Sequence, residues 1–429
     1  MTKKQFKEAL LRGQGRCIQA TQTQPDKYFD IVLWACSHEI AFDAQCEGTR
    51  SWFVYQLIDC YEDKAPFLKR AIEGLENTKL GSGWKMLYLA ELLSFFAEDG
   101  ASDAKRALWH KYEMLYKGLM ARKRPPRGTF CERDDFAMLC QVLGEDKTSF
   151  LKIAGDIGRL FQEKAFLDGF DFDWLYESKG RRYLSALTKA AKKSEDIRKY
   201  LSVMDAYEKA CEERGRSRNQ NTTRKGVALS VWLKRRADKE TIFKYVQTYL
   251  EQCNPEDRAD ALIAFSRCPY PENPLPIIED ASSNCEALSK AAWLVLGNIR
   301  HPMVRKFVLE NLQNHREEAL PVFITNYQDE DAKKLVEYIK AIPVDYGDST
   351  GWHGIHLDVL EMVDNGQKVP AELLRYIYET NYCSCCREYT LKQMGKRRML
   401  TDDILQECLL DCNSEIRVYA KSFLRRKKN

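Results

Sequence analysis

Two apolar stripes at helical spacing, separated by a turn, most tightly constrain how this chain can fold. In residues 286–312, apolar side chains recur every three or four positions in two groups, with Gly297 and the turn at Arg300–Pro302 between them. The recurring residues are Leu288, Ala291, Ala292, Val295 and Ile299 in the first group, and Val304, Phe307, Val308 and Leu312 in the second. This spacing gives each of two helices one apolar face, and a short turn makes them antiparallel neighbours.

This segment, EALSKAAWLVLGNIRHPMVRKFVLENL, resembles the HEAT repeat: it has small residues where paired helices approach, a helix-ending glycine, a turn and an apolar second helix. A similar segment, CREYTLKQMGKRRMLTDDILQECLLD, lies 98 residues further along, where Met394 and Gly395 correspond to Leu296 and Gly297. The resemblance implies an armadillo-like α-solenoid, in which stacked helix pairs share a continuous core.

The N-terminal half contains an internal sequence repeat. EDKAPFLKRA at Glu62–Ala71 and EDKTSFLKIA at Glu145–Ala154 share seven identities at an offset of 83 residues. That offset is about twice a HEAT-sized period of roughly 40 to 47 residues. Between them, Trp84–Phe96 and Ala104–Leu119 predict another pair of helices.

These patterns predict an all-α fold, an α-α superhelix of HEAT-like repeats. With 429 residues, the chain exceeds the size at which one hydrophobic core keeps growing, and its 13 prolines and 22 glycines are few for that length. We place degenerate repeats in residues 1–215 and clearer repeats in 216–429, with the division inside the polar stretch Glu213–Lys225. Residues Ile342–Gly354 are predicted to be a loop inserted between repeats.

Basic residues cluster in the middle of the chain although the total charge is nearly balanced, with 67 Lys and Arg against 63 Asp and Glu. Arg181–Glu240 has 17 basic and 8 acidic residues, a net charge of +9. If the turns of successive repeats align, such clusters form a surface that binds phosphates or an acidic partner. The candidate binding residues are Arg122, Lys123, Arg124, Arg127, Arg181, Arg182, Arg214, Arg216, Arg218, Arg224, Lys234, Arg235 and Arg236.

Three further groups of residues have both a structural and a functional interpretation. Alternating Asp and aromatic residues in Asp168–Trp174 form either a general-base or cation site or a set of helix caps with anchoring rings. Asp173 beside Trp174 resembles the aspartate and tryptophan pairing of HEAT-like alkylpurine DNA glycosylases, which implies DNA repair as one alternative. The other groups are His353 with His356 in a glycine-containing loop near Asp358, and the C-terminal cysteines, whose spacing does not match a zinc ribbon and which we interpret as core residues.

Fifteen cysteines without a secretory leader favour a reducing compartment, and we expect a cytoplasmic location. Met1–Gly15 lacks the apolar core of a signal peptide, and no stretch approaches the roughly 20 apolar residues that span a bilayer. No membrane association is expected.

We expect an interaction protein, a scaffold or adaptor that binds a protein partner through a curved surface. The alternative partner is nucleic acid, bound by the basic central region. No catalytic residue, metal or cofactor is predicted, because the chain has no Walker-type loop, G-x-S-x-G elbow, H-E-x-x-H motif or dinucleotide fingerprint. An unrecognised enzyme site at Asp168–Trp174 or His353–Asp358 is the third alternative.

Overall fold

A computed structural model describes residues 1–125, 131–217, 237–268, 270–312, 316–344 and 349–428. Helix makes up 73% of the structure, and no β-strand occurs in the described ranges. The prediction of an all-α protein is therefore confirmed. Across those same ranges, no helix combines the length and the apolar character needed to cross a membrane.

The molecule consists of two compact units. Unit 1 combines Met1–Asn219 with Tyr382–Asn429, and unit 2 is Gln220–Asn381. The chain thus leaves unit 1 once and returns to it. Because the two units are defined by compactness and not by repeat character, the predicted repeat domains, 1–215 and 216–429, stay a prediction.

The first part of unit 1 contains thirteen described α-helices. They are α1 (Lys3–Arg12), α2 (Arg16–Thr23), α3 (Pro25–Ala35), α4 (Ala44–Glu47), α5 (Ser51–Ile58), α6 (Ala65–Glu76), α7 (Trp84–Glu98), α8 (Ser102–Ala121), α9 (Glu132–Leu143), α10 (Lys147–Glu163), α11 (Asp173–Leu175), α12 (Leu184–Ala191) and α13 (Glu195–Ser217). A 3₁₀ turn, Gly169–Phe172, and a π-helical turn, Tyr176–Gly180, flank α11.

Unit 2 contains nine described α-helices, and the chain then adds three more to unit 1. The helices of unit 2 are α14 (Lys239–Glu251), α15 (Pro255–Ile263), α16 (Leu275–Ala281), α17 (Glu286–Leu296), α18 (Pro302–Asn311), α19 (Arg316–Thr325), α20 (Ala332–Ala341), α21 (Ser349–Asp364) and α22 (Ala371–Thr380). The returning helices are α23 (Ser384–Lys396), α24 (Asp402–Cys408) and α25 (Ser414–Lys428).

Helices α17 and α18 form where the apolar stripes predict them. Leu288 and Val295 are buried on α17, and Val304 and Val308 are buried on α18. Ile299 is also buried, but it follows the end of α17.

Both copies of the N-terminal repeat lie at the start of a helix. Asp146 caps α10, because its carboxylate accepts hydrogen bonds from the amides of Thr148 at 2.9 Å and Ser149 at 3.0 Å. Asp63, the equivalent residue in the first copy, accepts a hydrogen bond from the amide of Ala65 at 2.9 Å at the start of α6. The helices predicted at Trp84–Phe96 and Ala104–Leu119 are α7 and α8.

Alternate helices contact one another within each unit. In unit 1, α7 contacts α5 and α9, while α8 contacts α6 and α10. In unit 2, α15, α17, α19 and α21 form a similar series of contacts. Each series buries apolar faces that a single helix pair would leave exposed.

The prediction of a loop at Ile342–Gly354 is wrong for the C-terminal part of that segment. Helix α21 already begins at Ser349, so His353 and His356 lie on a helix. Trp352 and His356, four positions apart, are both buried, and their ring centroids are 4.7 Å apart. Packing of this face therefore outweighs the helix-breaking tendency of Gly354, which is exposed and has no neighbouring atom near the position of a Cβ.

Two buried arginines join the beginning of unit 1 to its returning segment. Arg387 on α23 donates to both carboxylate oxygens of Asp411 at 2.7 and 2.8 Å and to the main-chain oxygen of Arg12, and the side chains of Arg387 and Asp411 are fully buried. Arg50 donates to Glu47 at 2.9 Å and to the main-chain oxygens of Ile40 at 3.1 Å and Tyr382 at 2.8 Å. Ion pairs so deeply buried are stable only because their remaining polar atoms are largely hydrogen-bonded.

Replacing Arg387 by methionine should strongly destabilise unit 1. The substitution leaves the Asp411 carboxylate buried without its cation, which costs about 3–5 kcal/mol. Urea unfolding followed by circular dichroism measures this loss. The double variant Arg387→Met with Asp411→Leu should recover a large part of it, since it removes both charges.

Lys392→Met on the same helix is the matched control, because Lys392 pairs with Glu388 at the surface. Its cost should stay below about 1 kcal/mol. If Arg387→Met and Lys392→Met lowered the free energy of unfolding equally, the buried pair would be no more important for stability than the surface pair.

Candidate interaction groove

An open groove with a volume of about 650 Å³ lies in unit 1. It lies where the C-terminal half of α7 and the end of α9 meet the N-terminal parts of α8 and α10, and the start of α5 closes one end. Its volume falls within the roughly 300–1,000 Å³ typical of ligand sites.

One wall of the groove is a single face of α7. Glu91, Ser94, Phe95 and Glu98 line it at intervals of three, four and seven residues, which is the spacing of one helix face. The rest of α7 is largely buried and apolar. The two carboxylates thus stand on a rigid helix anchored in the core.

Glu91 and Glu98 have no cationic partner among the described residues. Glu91 accepts hydrogen bonds from the hydroxyls of Ser51, at 2.7 Å, and Thr49, so neutral groups orient its carboxylate. Glu98 is exposed at the end of α7. Both negative charges therefore remain uncompensated in this part of the structure.

Aromatic side chains form the apolar part of the groove. Trp52, Phe95 and Trp109 are half-buried and line the cavity. Arg417 lies 3.9 Å from the ring centroid of Trp52, and Lys152 lies 4.9 Å from that of Trp109. Both indoles therefore contact a cation of this chain, an arrangement favoured by the negative face of an aromatic ring.

The far end of the groove holds internally paired charges. Glu145 forms ion pairs with Lys179 and with Arg182, the latter at 3.2 Å. Hydrogen bonds from Ser149 hold the pKa of Asp146 below its usual value, so this carboxylate is charged at neutral pH. The groove as a whole can take up a polar, cationic or aromatic segment of another molecule.

The predicted basic residues that the structure describes are placed at different parts of unit 1. Arg122 pairs with Glu132 at 2.6 Å at the start of α9, whereas Arg182 pairs with Glu145 beyond its end. The twelve-residue helix between these contacts is about 18 Å long. Arg181 pairs with Glu177 at 2.8 Å and Glu208 at 2.7 Å.

The structure describes only some of the other predicted basic residues. Lys123 and Arg124 are exposed beyond α8. Arg214 and Arg216 belong to α13. Arg127, Arg218, Arg224, Lys234, Arg235 and Arg236 lie outside the described residues. Nucleic-acid binding by the whole set stays a prediction.

The aspartates of Asp168–Trp174 each have a structural contact. Asp168 accepts a hydrogen bond from the amide of Phe170 at 2.9 Å, and Asp171 pairs with Arg133 at 2.7 Å. Asp173 accepts from the amide of Trp174 at 2.6 Å and from the hydroxyl of Tyr207 at 3.1 Å. These contacts fit the interpretation as caps. Phe172 is buried as an anchor would be, whereas Trp174 is exposed.

Among the C-terminal cysteines, Cys408 belongs to the core of unit 1 and Cys412 is half-buried. Cys408 is fully buried at the end of α24. Cys412 follows it, and burial raises the pKa of its thiol to about 11 although Arg50 and Arg387 lie nearby. A thiol with so high a pKa is a poor nucleophile at neutral pH.

A smaller cavity of about 270 Å³ lies in unit 2. Asp358 and Glu361 on α21 line it together with Asn298, Arg300 and Gln367. Burial, and secondarily repulsion from Glu361, raises the pKa of Asp358 to about 6. Asp358 therefore titrates between pH 5 and 7, unlike an ordinary aspartate.

The groove residues were not among the predicted site residues. A signal for them exists in the sequence, because Glu91 and Glu98 interrupt the otherwise apolar helix WKMLYLAELLSFFAE at a spacing of seven. Comparisons of the chain with protein-family models, with curated proteins and with solved structures found no match.

Asp358→Asn should change how stability depends on pH. Because the pKa of Asp358 is raised on folding, its stabilising contribution is complete below about pH 4 and is lost as the pH rises through about 6. At pH 8 the variant should be more stable than the natural protein by about 1–2 kcal/mol, a value discounted for partial exposure. Near pH 4 the two should be equal.

Urea unfolding of the full chain at several pH values between 4 and 8 measures this difference. Glu361→Gln serves as a second variant, since removing its charge should lower the pKa of Asp358 and recover part of the effect. Parallel stability profiles for the natural protein and Asp358→Asn would show that Asp358 titrates like a solvent-exposed carboxyl.

Proposed function

We propose that this chain is a HEAT-like helical-repeat protein that acts as a scaffold or adaptor by binding a segment of a partner protein in the groove of unit 1. The observation that carries the proposal is the groove itself: an open cavity of about 650 Å³ with three aromatic side chains and two uncompensated carboxylates. Aromatic residues in a partly desolvated recess are the usual energetic centre of a protein interface.

Contacts between alternate helices support the proposed repeat architecture, since stacked helix pairs produce two such series. In unit 2, Asn326 adds a polar link between successive helices. Its side chain donates to the main-chain oxygens of Ile299 at 2.9 Å and Val322 at 3.0 Å and accepts from the amide of His301 at 3.0 Å. The turn after α17 is thereby fixed against the end of α19.

The proposed location is the cytoplasm or another reducing compartment. All fifteen cysteines are present as thiols, seven of them at least partly exposed. In an oxidising compartment, so many accessible thiols would form mixed disulfides.

Binding in the groove predicts that altering it removes a partner without unfolding the protein. Trp109→Ala removes an aromatic contact, and Ser94→Tyr fills the recess between Glu91 and Glu98. When the tagged full chain is purified from its native host, each variant should recover at least about tenfold less of a partner that accompanies the natural protein, as expected for loss of a central interface side chain.

Met114→Ala is the matched control, because Met114 is an exposed apolar residue of α8 that does not line the groove. It should retain the partner in full. Circular dichroism confirms that each variant is folded. Partner recovery that is unchanged by both groove substitutions would overturn the proposal.

A further inference from the structure

We propose that the groove of unit 1 binds a basic segment of its partner, with two cationic side chains about 10 Å apart held by Glu91 and Glu98. This inference rests on the proposed function and specifies the chemistry of the partner. It depends on three observations: the charge of the groove, the spacing of its carboxylates and the contacts of its aromatic rings.

The α7 wall of the groove is negatively charged, whereas Lys152, Arg182 and Arg417 contact other lining residues. The groove lining contains four carboxylates, those of Glu91, Glu98, Glu145 and Asp146, and two ammonium groups, a net charge of −2. Lys179 is already paired with Glu145. The surplus is concentrated on α7, where both carboxylates lack a cation in the described part of the chain. A partly enclosed wall with unpaired carboxylates attracts a segment of positive charge.

The spacing of the carboxylates selects the spacing of the cations. Glu91 and Glu98 are seven residues apart on one helix face, which corresponds to about 10.5 Å along the axis. An extended polyproline-II segment has three residues per turn and advances about 9.3 Å per turn. Basic residues at positions i and i+3 of such a segment would therefore lie on the same side and reach both carboxylates.

The ring faces of Trp52 and Trp109 already hold cations of this chain, Arg417 and Lys152. Phe95 is therefore the aromatic ring that a cationic side chain of the partner would meet. Phe95 lies between the two glutamates on α7. An arginine or lysine reaching Glu91 or Glu98 would pass its aliphatic stem along Phe95 and keep its charge next to a carboxylate. A nucleic acid or an acidic peptide would be repelled by the same charges.

The direct test uses fluorescein-labelled twelve-residue peptides and the full chain. One peptide carries two arginines separated by two alanines, the second carries glutamates in the same places, and the third carries its two arginines next to each other. Fluorescence anisotropy at low salt should show the tightest binding for the first peptide and no measurable binding for the second. The affinity of the first peptide should fall about tenfold for the double variant Glu91→Gln with Glu98→Gln. It should also decrease with added salt.

Glu113→Gln is the matched control, because Glu113 is an exposed glutamate of α8 outside the groove. It should leave the affinity unchanged. Equal binding of the acidic and basic peptides, or full affinity in the double variant, would overturn the inference.

A second experiment separates this inference from the proposed function. A photo-crosslinking phenylalanine analogue in place of Phe95, which lines the groove between the two glutamates, captures whatever occupies the groove in the native host, and mass spectrometry identifies the attached peptide. A peptide with basic residues three apart supports both proposals. An acidic or neutral peptide overturns the basic-segment inference alone, and the absence of any attached peptide overturns both.

Discussion

The buried contacts of Arg387 and Arg50 determine how unit 1 is assembled. Arg387 neutralises Asp411 and binds the main chain of Arg12, so one guanidinium joins the first helix to the returning segment. Arg50 adds a bond to the main-chain oxygen of Tyr382, where the chain re-enters unit 1. Because neither guanidinium is accessible to water, each contact is geometrically demanding, and helices far apart in sequence acquire one defined arrangement.

The defined arrangement of these helices also fixes one end of the groove. Arg417 on the last helix hydrogen-bonds the main-chain oxygens of Asp411, at 2.7 Å, and Cys412, at 2.9 Å, and it also lies over Trp52 at the edge of the groove. The returning segment thus contributes directly to one end of the proposed binding surface. The other walls are helix faces whose opposite sides are buried. A binding surface made of such elements changes little when a partner docks, which reduces the entropic cost of association.

The sequence predicts the helices well and their assembly only in part. Apolar stripes locate α17 and α18, and Asp146 marks the start of α10, because these signals act over a few residues. The return of Tyr382–Asn429 to unit 1 leaves no local signal, since Arg387 and Asp411 resemble ordinary surface charges until they are placed together. The groove was not predicted for a similar reason. A cluster of arginines is recognisable from the sequence, whereas Glu91 and Glu98 act together only because they share one face of a helix whose other faces are buried. Helix α21 shows the reverse case, in which packing of Trp352 and His356 outweighs a glycine signal.

The discontinuity of unit 1 has a consequence for how the protein is made. A ribosome synthesises Gln220–Asn381 before it reaches the segment that supplies Arg387 and Asp411. Unit 2 can therefore fold while the first 219 residues still lack the returning helices. The hydrogen bond from Arg50 to the carbonyl of Tyr382 forms only after that segment has been synthesised. Until Tyr382–Asn429 emerges, the nascent N-terminal part exposes apolar surface and Arg50 lacks its hydrogen bond to Tyr382, which is the kind of intermediate that chaperones bind. Completion of the proposed groove, to which Arg417 contributes, thus follows the synthesis of unit 2.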